Sequence, residues 1–228
     1  MNNSIIALVP MKAHSERVPD KNIREFAGEP LYFRALTALS QSKYVKRIVV
    51  NTDSDVIAEQ APMHFPKVRI IKRPVELQGD FVSMNKIIAH DISQIDGDYF
   101  LQTHSSNPLI TTETIDKAIE TYFDNLSEYD SLFSVTRFQS RFYDEQGKAV
   151  NHDPGQLIRT QDLPPLFEEN SNLYIFSKES FENAGNKRIG AEPMLFEMDK
   201  LEALDIDEPG DFELAELIYK SRANKTKF

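Results

Sequence analysis

Ala7-Leu-Val-Pro-Met-Lys-Ala-His-Ser-Glu-Arg-Val-Pro-Asp-Lys-Asn22 is the stretch from which the fold of this chain can be read. The apolar run Ile5 to Val9 reads as a short buried strand. It breaks into a loop that carries Lys12, Arg17 and Lys21, with Ser15 and Pro19 between them. A strand that delivers several cations and backbone amides at its carboxyl end is suited to gripping a polyphosphate. The competing reading is a solvated surface loop, since Glu16 and Asp20 offset part of the charge.

Outward from this loop, strand-like and helix-like segments alternate. Arg47 to Asn51, Val68 to Ile71, Tyr99 to Gln102 and Ser131 to Val135 are short and β-branched or aromatic, as buried parallel strands are. The clearest helix runs from Thr111 to Leu126, with Ile115, Ala118, Ile119, Tyr122, Phe123 and Leu126 on one stripe. Such alternation predicts an α/β fold, a mostly parallel twisted sheet flanked by helices, with ligands beyond the carboxyl ends of the strands. The pattern stops after Val135. Phe138 to Glu169 holds Asp144-Glu-Gln-Gly-Lys148, Asp153-Pro-Gly155 and Leu163-Pro-Pro165, which read as a hairpin and an extended arm. Its Phe138, Phe142, Tyr143, Leu157, Leu163 and Leu166 require burial against something. Alternation resumes with a strand at Asn172 to Phe176, a helix at Lys178 to Ala184 and a strand near Met194 to Met198. A last helix opens on Pro209, a favoured first helical residue, and Ser221 to Lys227 reads as a frayed tail. One domain over residues 1–228 is expected, with 138–169 as its arm.

A chain of 228 residues with 40% hydrophobic content suffices for one well-buried domain. No apolar run approaches the roughly eighteen residues of a membrane span, and Ile5 to Pro10 ends in Lys12 rather than in a small-residue cleavage site. The expectation is therefore neither a membrane partner nor a signal peptide. The absence of cysteine excludes disulfides, thiolate nucleophiles and cysteine-ligated metals, and fits the cytoplasm. A net charge of −10 argues against a nucleic-acid partner. An acidic protein that handles an anion must concentrate its cations locally, as Lys12, Arg17, Lys21 and Arg24 do.

Two acidic pairs compete for a metal. Asp53-Ser-Asp55 follows the second strand, and Asp205-Ile-Asp207 precedes the last helix. Residues two apart on an extended segment face the same way, so either pair could offer two carboxylates to Mg²⁺. Helix capping accounts equally well for both. Arg73, at a strand end, reads as a ligand contact or as a surface ion pair. No serine or cysteine nucleophile accompanies His104, so its imidazole reads as structural.

Pro10-x-Lys12-x-x-Ser15-x-Arg17-Val18-Pro19-x-Lys21-Asn22 resembles the signature that opens the CMP-sugar synthetases, the acylneuraminate and 3-deoxy-manno-octulosonate (Kdo) cytidylyltransferases. Pro-x-Lys-Asn followed by Gly28-Glu-Pro-Leu31 is closer to the acylneuraminate branch. Further segments follow in the family's order. They are Asn51-Thr-Asp53, Arg73-Pro74 with Gly79-Asp80-x-x-Ser83, Gln102 with Pro108-Leu109, Arg159-Thr-Gln-Asp-Leu-Pro164 with Asn170-Ser-Asn-Leu-Tyr174, and Asp205-Ile-Asp207. Lys12 stands where the family usually has arginine, Glu16 replaces a common lysine, and the loop lacks the family's glycines.

The resemblance implies a nucleotide-diphospho-sugar transferase-like fold and a CTP-dependent cytidylyltransferase. Its substrate would be an acidic nonulosonic or related 3-deoxy-2-keto sugar acid, converted to the CMP-sugar with release of pyrophosphate. Lys12, Ser15, Arg17, Lys21, Asn22, Arg73 and Ser83 would bind the nucleotide, with Arg73 and Ser83 at the base. Gln102, Arg141, Arg159 and Asn170 would bind the sugar acid. Lys21, Arg17 and Asp207 would carry the catalysis, with Mg²⁺ on Asp205 and Asp207. A homodimer would let the arm complete the partner's site. Sialic, legionaminic, pseudaminic and Kdo-type acids share the carboxylate and anomeric centre, and the distinguishing contacts fall in the divergent Thr103–Asn107 and Phe138–Glu169 segments. Two other classes remain open. One is a glycosyltransferase that uses Asp53-Ser-Asp55 for its metal. The other is a non-catalytic nucleotide-binding module, suggested by Glu16 and the glycine-poor loop.

Overall fold

The computed structural model describes residues 3–225. Strand β1 (Ile5–Leu8) is buried along its whole length. The chain next forms a small hairpin, β2 (Glu25–Phe26) and β3 (Glu29–Pro30). Its turn residues Ala27 and Gly28 both have positive φ, 52° and 91°, as a type I′ turn requires. Helix α1 (Tyr32–Gln41), strand β4 (Val45–Thr52), helix α2 (Asp55–His64) and strand β5 (Val68–Lys72) follow. Then come α3 (Met84–Ser93), β6 (Tyr99–Gln102) and α4 (Thr112–Asp124). The second half comprises β7 (Ser131–Phe138), β8 (Leu166–Ser177), α5 (Lys178–Asn183), β9 (Pro193–Glu197) and α6 (Pro209–Lys225).

Seven strands form one sheet in the order β5-β4-β1-β6-β8-β7-β9. Only β8 runs against its neighbours, and every other pairing in this sheet is parallel. Period-two alternation along β1 explains the two core layers. Ile5 and Ala7 pack with Tyr32, Leu36, Ile115 and Ile119, on the side of α1 and α4. Ile6 and Leu8 pack with Ile88, Ile92 and Phe181, on the side of α3 and α5. A strand covered on both faces must be apolar throughout, which is why Ile5 to Val9 reads as a continuous run. Among the described residues no helix is long and apolar enough to cross a membrane.

A third, smaller cluster matters more for function. Val18, Phe26, Leu31, Ile206, Phe212 and Ala215 are all buried together. Val18 thereby pins the cationic loop, and Ile206 pins the segment between the two late aspartates, onto the same hairpin and last helix.

The second half differs from the sequence reading. Strand β8 begins at Leu166, not Asn172, because Val135 to Phe138 pair with Glu169 to Leu166 and draw the ends of the expected arm into the sheet. Exposed Phe167 and Glu168 lack the apolar pattern of a buried strand, so ladder hydrogen bonding sets this end. The remaining excursion has no regular hairpin. A single antiparallel bridge, Tyr143 to Ala149, closes the Asp144–Gly147 turn. Ser221 to Lys225 are helical rather than frayed, and the rest of the expected tail lies outside the described residues.

Ser171 sits at φ 57° beside the register shift between β7 and β8. A left-handed backbone costs a non-glycine residue roughly 1 kcal/mol. Ser171→Gly should therefore raise unfolding stability by about 0.5–1 kcal/mol, read as a higher denaturant midpoint at unchanged slope.

Candidate active site

Beyond Leu8 the backbone continues along β4, with Val9 N donating to Val49 O and Met11 N to Asn51 O at 2.8 and 2.9 Å. The chain then leaves the sheet as the Lys12 loop. Ala13 N donates to Asp53 Oδ1 at 2.7 Å, and Asn22 Nδ2 donates to Lys12 O at 2.9 Å. Ser105 Oγ in turn donates to Asn22 Oδ1 at 2.7 Å, which ties the loop to the end of β6. Asp53 is thus a loop anchor. Ser54 caps α2 and Asp55 pairs with Lys72, so the early acidic pair is engaged structurally and is not gathered for a metal.

This loop, the β5–α3 connection and the residues after β6 enclose a cavity of about 430 Å³. Lys12, Ser15, Arg17, Lys21, Asn22, Arg73, Asp80 and His104 are among its lining residues. A cavity of about 700 Å³ lies at the amino-terminal end of β6, where Asp98, Glu128, Asp130, Glu179 and Glu192 make it unsuited to a polyphosphate.

Each cation of the loop already has an oxygen partner across the cleft. Lys12 Nζ meets Asp80 Oδ1 and Arg17 Nη2 meets Asp207 Oδ1, both at 2.6 Å. Lys21 Nζ donates to Ile206 O at 2.6 Å. Burial pulls the Lys21 ammonium below its ordinary pKa, helped by Arg17 and Lys12 and opposed by Asp205 and Asp207. All these side chains can turn toward an incoming phosphate, and the exposed ion pairs cost only about 0.2–1 kcal/mol each to open. Arg24 does not join them, because its guanidinium lies over the Phe212 ring at 4.4 Å.

Asp205 and Asp207 flank the buried Ile206, and both act on Lys21. Burial raises the Asp205 carboxyl above its ordinary pKa, with Asp207 adding to the shift. Its Oδ1 is buried without a hydrogen-bond partner. An orphaned carboxylate oxygen beside a second carboxylate is a fitting donor set for a hard divalent cation. Among the described residues no group of three or more metal-ligating side chains is gathered here, so such an ion would draw its remaining ligands from elsewhere.

Arg73 is buried rather than a surface residue. Its Nε donates to Asn51 Oδ1 at 2.7 Å and its Nη2 to Asn51 O at 3.0 Å. Asn51 Nδ2 donates to Asp91, whose carboxyl burial pushes up to about 6. The Asn-Thr-Asp motif therefore does two jobs, with Asn51 orienting Arg73 and Asp53 shaping the loop.

Of the expected site residues, Asp205 and Asp207 stand behind the cavity lining against Lys21 and Arg17, and five more, Ser83, Gln102, Arg141, Arg159 and Asn170, are outside it. Ser83 precedes α3 without lining the pocket. Asn170 is bound by Ser134 and Thr136 inside the β7–β8 ladder. Arg141 donates to Ile158 O and Arg159 pairs with Asp162, both within the exposed arm. Gln102, though at the expected strand end, is fully buried beneath Arg188 and beside His104. Sequence reasoning missed Arg188 altogether, since Lys187-Arg188 before a short strand looks like any solvated basic pair.

A cationic loop that leaves the carboxyl end of the central parallel strand to line a cavity, with a carboxylate pair against its Arg17 and Lys21, is the arrangement of a nucleotidyltransferase. Comparison with known proteins narrows the class. The chain belongs to the cytidylyltransferase family, whose model matches residues 6–226. It is 25% identical to the post-translational flagellin modification protein B of Campylobacter coli, over 99% of both chains. It is 28% identical to the CMP-N,N'-diacetyllegionaminic acid synthase of Legionella pneumophila, over 93% of this chain and 94% of that one. The N-acylneuraminate cytidylyltransferase of Escherichia coli O18:K1:H7 is 27% identical, and this chain spans 54% of its length. In fold the chain is similar to CMP:2-keto-3-deoxy-manno-octonic acid synthetase complexed with CTP, with a TM-score of 0.70 at 13% identity over 96% of this chain and 99% of that one.

Proposed function

We propose that this cytidylyltransferase transfers CMP from CTP to the anomeric hydroxyl of an acidic nonulosonic sugar, releasing pyrophosphate. The observation that carries the reading is the convergence of Lys12, Arg17 and Lys21 on one cavity, with Asp207 paired to Arg17 and both Asp205 and Asp207 acting on Lys21 behind its lining. Phosphoryl-group chemistry of this kind is mainly positioning and charge neutralisation. Lys12 and Arg17, half exposed at the rim, hold the leaving phosphates. Lys21, more deeply set, stabilises charge on the α-phosphate. Arg73, held by Asn51 at the far wall, faces the base. Mg²⁺ held by Asp205 and Asp207 would neutralise phosphate charge and acidify the attacking hydroxyl.

A nonulosonic acid as the acceptor is supported by relatives that are named for N-acylneuraminate, diacetyllegionaminic and pseudaminic acids. The arm supports a homodimer. Leu157 is 84% exposed, and Tyr143, Val150 and Ile158 of the same arm are exposed too. Of the arm's apolar residues expected to be buried, Leu163 is the one that reaches the core within a single chain. A cysteine-free chain that uses cytosolic nucleotides fits the cytoplasm.

Pyrophosphate release with CTP, Mg²⁺ and a panel of sialic, legionaminic, pseudaminic and Kdo-type acids tests the reading. Turnover should require one of the acids and should fall when UTP, ATP or GTP replaces CTP at equal concentration. Equal or better use of a purine nucleotide would sink the assignment.

A further inference from the structure

Three polar side chains form a line that reaches the cavity at His104, the member of the three that lines it. Arg188 Nη1 donates to Gln102 Oε1 at 2.6 Å, and Gln102 Nε2 lies 3.1 Å from His104 Nε2. Gln102 Nε2 also donates to Thr103 O at 3.1 Å. Arg188 is itself fixed, stacked 3.6 Å from the Tyr174 ring centroid and 3.8 Å from Glu169. A guanidinium has only donors, so the amide oxygen of Gln102 must be the atom that faces it. The amide nitrogen therefore faces His104, and since it too only donates, His104 Nε2 must offer a lone pair. A neutral imidazole carries one proton, which is left on Nδ1.

The protonation state agrees with this tautomer. Burial pulls the His104 pKa down to about 3, and the charged groups facing the ring, Arg188 and Lys21, add to the shift. His104 lines the cavity, and with Nε2 engaged by Gln102, Nδ1 is the nitrogen available to a ligand. The rim cations Lys12 and Arg17 are half exposed, whereas Gln102 is fully buried. A triphosphate on those rim cations leaves the His104 part of the lining to the other reactant.

We propose that His104 is a permanently neutral hydrogen-bond donor whose Nδ1–H reads an oxygen of the acceptor acid, held in that tautomer by Arg188 through Gln102. The assignment of the ligand rests on the acceptor reading given above; the tautomer does not. It also means that His104 cannot serve as general base, because the nitrogen facing the cavity has no free lone pair.

Two measurements on the full-length protein decide the matter. Nitrogen-detected NMR of ¹⁵N-histidine-labelled protein should show His104 as the Nδ1–H tautomer, unchanged from pH 5 to 8. An Nε2–H tautomer, or a titration midpoint inside that range, overturns the proposal. Gln102→Glu retains a partner for Arg188 but turns the neighbouring donor into an acceptor, so it should move the proton to Nε2. With CTP, Mg²⁺ and N-acetylneuraminate, His104→Ala should raise the KM for the acid by roughly 10- to 100-fold, the loss expected for a hydrogen bond to a charged group. His104→Asn can place an amide N–H near the Nδ1 position and should recover most of that loss. An unchanged acid KM in His104→Ala, or an effect confined to the KM for CTP, refutes the acceptor role. Wild-type protein that turns over no acid at all, yet shows the expected tautomer, would instead remove the proposed function.

Discussion

Asp207→Ala should lower turnover about 10³-fold or more and abolish the response to Mg²⁺, with the melting temperature nearly unchanged. The size of the loss follows from removing a group that neutralises charge as it develops on the transferring phosphate. The small effect on stability follows from position, because the Asp207 side chain is 46% exposed and its partner Arg17 is 56% exposed. Such a pair is worth about 0.2–1 kcal/mol. A second readout separates this role from a structural one. Without Asp207, Arg17 keeps only the looser contact with Glu208 at 3.6 Å, so metal-free CTP should bind at least as tightly as to the wild type, by calorimetry. Asp53→Ala should behave oppositely. Its carboxylate holds Ala13 N, so its loss loosens the loop and lowers stability while the Mg²⁺ response persists. If Asp53→Ala loses the metal response and Asp207→Ala keeps it, the metal has been assigned to the wrong pair.

Mixed dimers of Arg159→Ala and Asp207→Ala subunits should regain activity that neither variant has alone. In a shared site one of the two clefts would receive both intact residues, so up to about half of the wild-type rate is expected under a two-fold arrangement. The exposed arm motivates the experiment. Arg141 and Arg159 spend their donors on Ile158 O and on Asp162 within the arm, and neither lines the cavity of its own chain. A guanidinium that turned from such an exposed partner to a carboxylate of the acid would gain a bidentate contact at small cost. Two inactive variants that never complement, in subunits shown by mass to have exchanged, would place each arm with its own subunit.

The legible part of this protein is the part governed by near neighbours in sequence. Ile5 to Val9 must be apolar to lie between two helical layers, so the strand and the loop that leaves it could both be read locally. The stripe on α4 and the proline that opens α6 follow in the same way. The motif order also pointed to Lys12, Arg17, Lys21, Arg73, Asp205 and Asp207, and the fold brings the first four to one cavity with the two aspartates acting on Lys21. Asn170 and Gln102 show where local reading fails. Both stand in family motifs, but each amide is used up by partners within the protein, and a sequence carries no sign of which polar groups will be satisfied internally.

By itself, then, the sequence determined the alternating strands and helices, the cation-bearing loop and the two late aspartates, because hydrophobic period and residue type are short-range properties. Only the tertiary structure decided what those residues face. Lys12 meets Asp80 across 68 positions, Arg17 meets Asp207 across 190, and Arg188 meets Gln102 across 86. Contacts of that separation depend on how the sheet stacks its strands and on the small cluster around Val18 and Ile206. They set charge state, tautomer and access at the site, and no window of neighbouring residues contains them.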